Sequence, residues 1–294
     1  MSRFVHYRFS HRVINGITIG VTALVVLIIA GSLAGSIADR TSLGRDGIGF
    51  VELSGIIMSP RDVNRQLRNL AKRVDVIVLR INSPGGGVAA SQEIYEQVKR
   101  IRAEDGVRVV ASMGSVAASG GYYVAIAADT IMASPGTLTG SIGVIAEYTE
   151  IDSLLRMIGV RVNVIKAGKY KDTGSPFRRM KRSERKYLET VIASAYDQFL
   201  VAVASGRKGI PLDSVRTLAE GRIYTGEMAK SVGLVDTLGT LQDALAFARE
   251  IGGLDEDAPI IRAPESKENR VRKLLGKVTG LIDRPSISLS YRMP

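Results

Sequence analysis

The chemistry open to this chain is limited by its histidine and cysteine content. Its 294 residues include no cysteine, and its two histidines, His6 and His11, both precede an uncharged run from Val13 to Ala38. Hydrolysis downstream of that run must proceed without a histidine base, a cysteine nucleophile or a His/Cys metal site. Nucleophiles and bases remain in a serine-rich stretch, Ser112–Tyr123, and a lysine-rich stretch, Lys166–Asp172. A serine activated by a lysine is the acyl-transfer device that this inventory permits.

The apolar run near the N-terminus predicts where that chemistry takes place. Residues 13–38 carry no charge, and about 20 apolar residues suffice to cross a bilayer as a helix. Arg3, Arg8 and Arg12 precede the run, so the positive-inside rule places residues 1–12 in the cytoplasm. We therefore predict a single-pass protein of the cell (inner) membrane with an extracytoplasmic, periplasmic catalytic domain.

A cleaved signal peptide is the alternative interpretation of the same run. Ser36, Ile37 and Ala38 place small residues where a signal peptidase favours them. The apolar part of a signal peptide is typically about 7–15 residues long, which is shorter than this run. Length therefore favours a retained anchor. The absence of cysteine suits an oxidising compartment, although many cytosolic proteins also lack it.

The rest of the chain is long enough for one large α/β domain. After a linker at 39–47 we place this domain at 48–262, followed by a basic C-terminal tail at 263–294. The formal net charge is +11, with local clusters at 178–186 and 262–277. A solvated face or attraction to anionic headgroups accounts for both clusters. Neither contains the interleaved aromatic residues that stack bases, so we expect no nucleic acid partner.

Apolar runs alternate with helical patterns over the first part of that domain. Strands are predicted at Ile48–Leu53, Val74–Ile81 and Val107–Ala111, with helices beginning at Ser59-Pro60 and spanning about 88–103. The second strand is nearly continuous in apolar residues, which is typical of a parallel sheet covered on both faces. Two strand–helix–strand units therefore follow one another and predict an α/β fold.

The second part of the domain continues the same alternation. The pattern predicts a short helix from Ser119 to Ala127, strands at Thr130–Ala133 and Ser141–Ile145, a long helix from Ser183 to about Ser205, and two smaller helices before about Ile261. A further helix is predicted in the tail at about 266–281.

Two glycine-rich segments each join a predicted strand to a predicted helix. Asn82–Gly87 follows a buried strand, and its glycines let a backbone amide approach a ligand closely. Ser112–Gly120 forms the next such connection, so the two loops should face one another. Ser119 begins a helix there, which exposes its hydroxyl at the positive end of the helix dipole and lets the Gly120 amide donate to an oxyanion.

Each segment also has an interpretation without catalysis. The glycine run could be a tight turn or a phosphate cradle, although no Gly-Lys-Ser/Thr follows to complete a P-loop. Ser119 could simply cap its helix. Ser112 and Ser115 are rival nucleophiles, but neither is followed directly by a Gly-Gly pair.

Five motifs occur in a fixed order along the chain. They are Ile81–Gly86, Met113–Ala125, Leu138–Val144, Gly221–Ala229 and Val232–Asp236. Together they resemble the S49 family of serine proteases, the signal peptide peptidase A family, in its short form with a single copy of the repeat. The resemblance covers about residues 48 to 245.

The resemblance implies a Clp protease/crotonase-like fold, a parallel sheet with flanking helices. It implies Ser119 as the nucleophile and Lys171 as the general base, because Gly168–Asp172 matches the lysine motif of the short form. A lysine must be neutral to accept a proton, and its ordinary pKa is about 10.4. Lowering that value by about three units costs roughly 4 kcal/mol, which burial and hydrogen bonds must supply.

Other site residues follow from the same resemblance. Ser141 stands where the family has a serine that helps to orient the lysine. The amides of Gly86 and Gly120 would form the oxyanion hole, with Gly85 as the alternative to Gly86. Tyr122 lies beside these segments and is either a wall of the substrate site or part of the core.

The resemblance also implies the substrate, assembly and cofactor requirement. The family degrades signal peptides after their release, so the substrates should be apolar peptides. Ring-like homo-oligomers with walls shared between protomers are expected, and neither a cofactor nor a metal is required. A related membrane serine protease of the stomatin-operon-partner type, a crotonase-like acyl-CoA enzyme and a scaffold with a degenerate site remain the alternative functions.

Overall fold

The computed structural model describes residues 46–207, 209–263 and 290–292. Helices and strands alternate through most of this part of the chain. In chain order they are β1 (Ile48–Ser54), α1 (Arg61–Ala71), β2 (Val76–Ser83), β3 (Gly85–Gly87), α2 (Val88–Glu104), β4 (Arg108–Ala118), α3 (Gly120–Ala125), β5 (Thr130–Ala133), β6 (Leu138–Gly140), α4 (Asp152–Met157), α5 (Arg182–Gly206), α6 (Leu212–Leu218), β7 (Ile223–Thr225), α7 (Gly226–Ser231), β8 (Thr237–Leu238), α8 (Leu241–Gly252), β9 (Ile260–Arg262) and β10 (Ser290–Arg292). The predicted α/β class is confirmed.

Parallel strands form the centre of the main sheet. Its order is β7-β6-β4-β2-β1-β9, and β5 joins β4 to β8. Strands β1, β2, β4, β5 and β6 pair in parallel, whereas β7 runs antiparallel to β6. Strand β4 pairs with β5 as far as Ser112 and with β6 from Val116 onward. The carboxyl ends of β4 and β6 therefore lie side by side.

Helices cover both faces of this sheet. Alternate residues of β2 point to opposite faces, as strand geometry requires, so Ile77 and Leu79 pack under α1, α2, α3 and α5, while Val76 and Val78 pack under α8. Aromatic contacts join the first group of helices. The ring centroid of Tyr123 on α3 lies 5.0 Å from that of Tyr95 on α2, edge to face, and 4.8 Å from that of Phe199 on α5. Helix α3 is thus held between two longer helices.

Two predicted boundaries were wrong. The stretch 112–118 was predicted as a loop, but it continues β4 to Ala118, because its small residues pair with β2 on one side and with β6 on the other. The strand predicted at Ser141–Ile145 lies earlier, at Leu138–Gly140. It ends at Gly140, where φ is +75° and a side chain would meet the Tyr224 ring at 2.6 Å.

Several predicted segments lie outside the described residues. They are the N-terminal segment 1–12, the apolar run 13–38, most of the linker 39–47 and the helix at about 266–281. Within the part of the chain that the structure describes, no helix combines the length and apolar character needed to span a membrane.

Candidate active site

Ser119 lies at the junction of β4 and α3, where its backbone is held from both sides. Its amide donates to the Gly140 carbonyl at 2.8 Å, and its carbonyl accepts from the Tyr123 amide at 2.8 Å. The resulting φ of 54° and ψ of −116° are strained for a residue with a side chain. Such strain costs about 1–3 kcal/mol and is found most often at functional sites.

Ser141 occupies the equivalent position on the neighbouring strand. Ala118 pairs with Gly140 in the parallel register of β4 and β6, so Ser119 and Ser141 are the next residue of each strand. The Ser141 amide donates to the Arg222 carbonyl at 2.7 Å, and its φ is 49°. Among the described residues, these two serines are the only non-glycine positions with a positive φ. The structure thus brings the two predicted serines together.

The Ser119 hydroxyl is fully buried, and no described group makes a hydrogen bond with its Oγ. It does not cap α3, so the capping interpretation is wrong. An unsatisfied buried hydroxyl costs about 1–3 kcal/mol. The rival serines differ from it: Ser112 accepts a hydrogen bond from Arg80 at 2.8 Å, and Ser115 is exposed. Of these three serines, Ser119 is therefore the one whose buried hydroxyl makes no hydrogen bond with a described group.

Strand β3 holds the glycines of the predicted oxyanion hole. The Ile57 amide donates to Gly85 O at 2.9 Å, and the Gly87 amide donates to Ile57 O at 2.8 Å. A Cβ at Gly86 would lie 2.3 Å from Ile57 O, so this approach requires glycine. The Gly85 amide donates to Ser83 Oγ at 3.1 Å. Because peptide groups alternate along a strand, the Gly86 amide faces the edge of β3 opposite Ile57.

The C-terminal strand β10 occupies that opposite edge. It pairs antiparallel with β3, with Ser290 opposite Gly87 and Tyr291 opposite Gly86, and it also contacts α3. An extended chain is therefore added to β3 as a further strand, which is how β-augmentation binds peptides. No pattern in the sequence predicts this pairing.

Helix α3 brings a second backbone amide to the same place. Gly120 is its first residue, so the Gly120 amide has no acceptor within the helix. A Cβ at Gly121 would lie 2.8 Å from Ser83 O, which shows how closely α3 packs on the end of β2. Helix α3, which begins directly after Ser119, also contacts β3, the strand that carries Gly86.

Lys171 lies on an exposed segment between α4 and α5. Its amide donates to Gly168 O at 3.3 Å, but its side chain is exposed and makes no hydrogen bond or ion pair with a described residue. The single chain therefore does not join the predicted base to Ser119. The preceding part of the segment is apolar and exposed at Leu154, Met157, Ile158, Val160, Val162, Val164 and Ile165. Contiguous exposed apolar surface of this kind marks an interaction site.

An ionic cluster of four residues holds the loop that carries Lys171. The Asp172 carboxylate accepts from Arg178 Nε at 2.8 Å and from Lys166 Nζ. Arg178 also binds both oxygens of Glu184, at 2.7 and 2.8 Å, and Glu184 in turn accepts from the Lys181 amide at 2.9 Å. The bonds to Arg178 lower the pKa of Asp172 and lower that of Glu184 to about 2.

Sequence reasoning missed this cluster. It treated 178–186 as a solvated basic face, whereas the Glu184 side chain is 2% exposed. The signal that was available is the spacing of Asp172, Arg178 and Glu184 around the start of a predicted helix.

Tyr122 belongs to the core and not to a groove wall. Its ring is fully buried, and its hydroxyl donates to Leu234 O at 2.9 Å. Burial raises the pKa of Tyr122 above its ordinary value.

Across the described ranges, no group of three or more His, Asp or Glu side chains is placed to hold a metal ion.

Comparison with known proteins decides the family. Residues 101–255 match the model of peptidase family S49. The chain belongs to this family. It is therefore a serine protease, and the resemblance predicted from its motifs is confirmed.

The relatives carry protease names. The chain is 40% identical to a putative protease of Synechocystis sp., over 79% of this chain and 84% of that one. It is 40% identical to a putative signal peptide peptidase of Enterococcus faecium, over 59% and 50% of the two chains. It is 36% identical to protease 4 of Salmonella typhi, over 74% of this chain and 37% of that one. This chain thus spans half or less of the last two relatives.

The acid sensitivity of the protein should depend on Glu184. Its pKa is lowered on folding from 4.5 to about 2, so its contribution to stability is present above pH 4.5 and is lost as pH falls toward 2. Glu184→Gln should lower the free energy of unfolding by about 1–3 kcal/mol at neutral pH and flatten its decline between these pH values. Urea unfolding at several pH values measures both effects.

Glu189→Gln is the matched control, because Glu189 is an exposed carboxylate on the same helix. It should leave both the stability and its pH dependence unchanged. An equal decline below pH 4.5 in wild type and Glu184→Gln would contradict the assignment.

Proposed function

We propose that this S49 protease is a membrane-anchored endopeptidase that hydrolyses released signal peptides and other apolar peptides with a Ser119–Lys171 dyad. The observation that carries the proposal is the buried, unpartnered hydroxyl of Ser119 beside a strand that binds an extended chain. Neutral Lys171 accepts the proton as Ser119 Oγ attacks the scissile carbonyl. The lysine then protonates the leaving amine, and water hydrolyses the acyl-enzyme.

The oxyanion of that reaction is assigned to two amides. Of the two candidate glycines in β3, the Gly85 amide already donates to Ser83 Oγ, which favours Gly86. The Gly120 amide, at the start of α3, is the second donor. Ser141 lies one strand away from Ser119 in the same register, which supports a role for its hydroxyl in orienting the lysine.

The peptide substrate is expected to bind where β10 lies. Backbone pairing with Gly85–Gly87 fixes an extended chain regardless of its side chains, which suits a protease that acts on diverse apolar peptides. The chain's own C-terminal strand then competes with the substrate for β3.

The dyad is expected to form between two copies of the chain. Ser119 has no described partner, and Lys171 projects from a segment whose apolar side chains are exposed. A ring of copies would cover these side chains and bring the lysine of one copy to the serine of the next. This arrangement accords with the shared walls that the family resemblance implies.

Ser119→Ala and Lys171→Ala should each abolish hydrolysis of an apolar fluorogenic peptide, because nucleophile and base act as one unit. The double variant should be no less active than either single variant. Neither single variant should have a lower melting temperature than wild type. Activity that survives Ser119→Ala and is lost on substitution of Ser112 or Ser115 would overturn the nucleophile.

Mixing the two inactive proteins tests the assembly. When Ser119→Ala and Lys171→Ala are unfolded together and refolded, mixed rings should regain up to about a quarter of the wild-type activity, since a quarter of random interfaces pair an intact serine with an intact lysine. Each variant refolded alone is the control. No recovery in assembled mixtures would show that both groups act within one copy.

Removal of the C-terminal strand should expose the edge of β3. A variant that ends at Ser288 should have a KM for the peptide several-fold lower than wild type and an unchanged kcat, because an intramolecular competitor is lost. Tyr291→Pro, which removes a backbone donor opposite Gly86, should act in the same direction. An unchanged KM in both variants would place β10 outside the substrate site.

The anchor and the periplasmic location belong to the same proposal. With Arg3, Arg8 and Arg12 inside, a phosphatase reporter fused after Asp46 should be active in cells. A cytoplasm-dependent reporter at the same junction should be inactive, and protease added to spheroplasts should digest the catalytic domain. If the catalytic domain resists the added protease, the predicted orientation is wrong, but the dyad assignment is unaffected.

A further inference from the structure

The Lys171 loop depends on a side chain that does not take part in the proposed reaction. The Arg178 guanidinium donates to four groups: the Asp172 carboxylate, the Asp172 backbone carbonyl at 3.0 Å, the Arg179 backbone carbonyl at 3.1 Å and the Glu184 carboxylate. The two carboxylates lie on the loop that carries Lys171 and at the start of α5. A planar guanidinium suits such a bridge, because it presents several donors in fixed directions.

The anchor point on α5 is firm. The Glu184 side chain is 2% exposed and also accepts from the Lys181 amide at 2.9 Å, so it is fixed at the first turn of the helix. On the loop side, the Ser175 amide donates to Asp172 O and the Thr173 amide donates to Tyr170 O, both at 3.1 Å. Arg178 thus joins a compact turn to a helix of 25 residues.

The charges of the cluster balance. Lys166 and Arg178 carry two positive charges, and Asp172 and Glu184 carry two negative charges. Lys169 lies on the same loop outside the cluster; its Nζ is 5.2 Å from the Tyr170 ring centroid, and that ring stacks on Tyr187 of α5. The carboxylate adjacent in sequence to Lys171 is therefore fully compensated.

We propose that Arg178 is a positioning residue for the base: it fixes the loop of Lys171 to α5 and keeps the Asp172 carboxylate from pairing with the lysine. The inference rests on the proposed role of Lys171. Without Arg178 the cluster carries one net negative charge. A carboxylate released beside a lysine favours the charged lysine, which cannot accept a proton.

The pH dependence of peptide hydrolysis by the full-length protein in detergent tests this inference. Arg178→Ala should lower kcat and move the pH at which kcat/KM rises upward by about one unit. Arg178→Ala combined with Asp172→Asn restores a balanced cluster, so its profile should return to the wild-type midpoint while kcat stays low. Arg178→Lys keeps the charge without the planar fork and should keep the midpoint with a reduced kcat.

Arg179→Ala is the matched control, because Arg179 is the next residue, is exposed, and has no side-chain contact with a described residue. It should match wild type in rate and midpoint. A folded Arg178→Ala protein with the wild-type midpoint would overturn the inference, since a merely structural role would lower the rate without moving the profile.

Two further variants keep the result decisive. If Arg178→Ala does not fold, Asp172→Asn alone leaves one net positive charge and should move the midpoint to lower pH, and an unmoved midpoint overturns the inference. Lys171→Ala is measured alongside. Full activity in Lys171→Ala would refute the proposed base. If Lys171→Ala is inactive but the pH profile of Arg178→Ala matches wild type, only the role of Arg178 is refuted.

Discussion

The hydrogen bond from the Ser119 amide to the Gly140 carbonyl is the constraint on which the site depends. It extends the parallel pairing of β4 and β6 by one step beyond their last residues. The chain must then turn sharply into α3, and Ser119 takes a strained φ as a result. Sheet hydrogen bonds, the packing of α3 between α2 and α5, and the close approach at Gly121 together hold that strain. The proposed nucleophile is therefore fixed by the core and not by a flexible loop.

The sequence predicts those features of the fold that depend on local pattern. Continuous apolar runs indicate the buried strands β1 and β2, and helical periodicity indicates α2 and α5 close to their observed ends. The end of β4 was missed because Gly114 and Ser115 have low strand propensity, and pairing with β2 and β6 keeps this stretch extended. Such strand boundaries depend on pairing with distant segments, and the local pattern of one sequence does not predict that pairing.

Some parts of the candidate site were more predictable from the sequence than others. Motifs predicted Ser119, Ser141 and Gly86 as site residues. The structure places the two serines at positive φ and Gly86 in a close backbone contact, and such positions demand particular residue types. The bridge made by Arg178 was not predictable, since an arginine in a basic cluster has the same sequence pattern whether it is solvated or binds two carboxylates. The pairing of β10 with β3 joins segments about 200 residues apart.

The separation of Ser119 from Lys171 has a thermodynamic consequence under the proposed function. A lysine in water is protonated at neutral pH and cannot act as a base. Lys171 is exposed and remains hydrated until an apolar surface covers its segment. Assembly would remove this water and at the same time bring Lys171 to Ser119 of a neighbouring copy. Desolvation of the base and burial of Val160, Val162 and Val164 then occur together, so that the hydrophobic gain of assembly offsets the cost of keeping the lysine neutral. Under the proposed function an isolated copy should be inactive, since its lysine stays hydrated and makes no contact with Ser119.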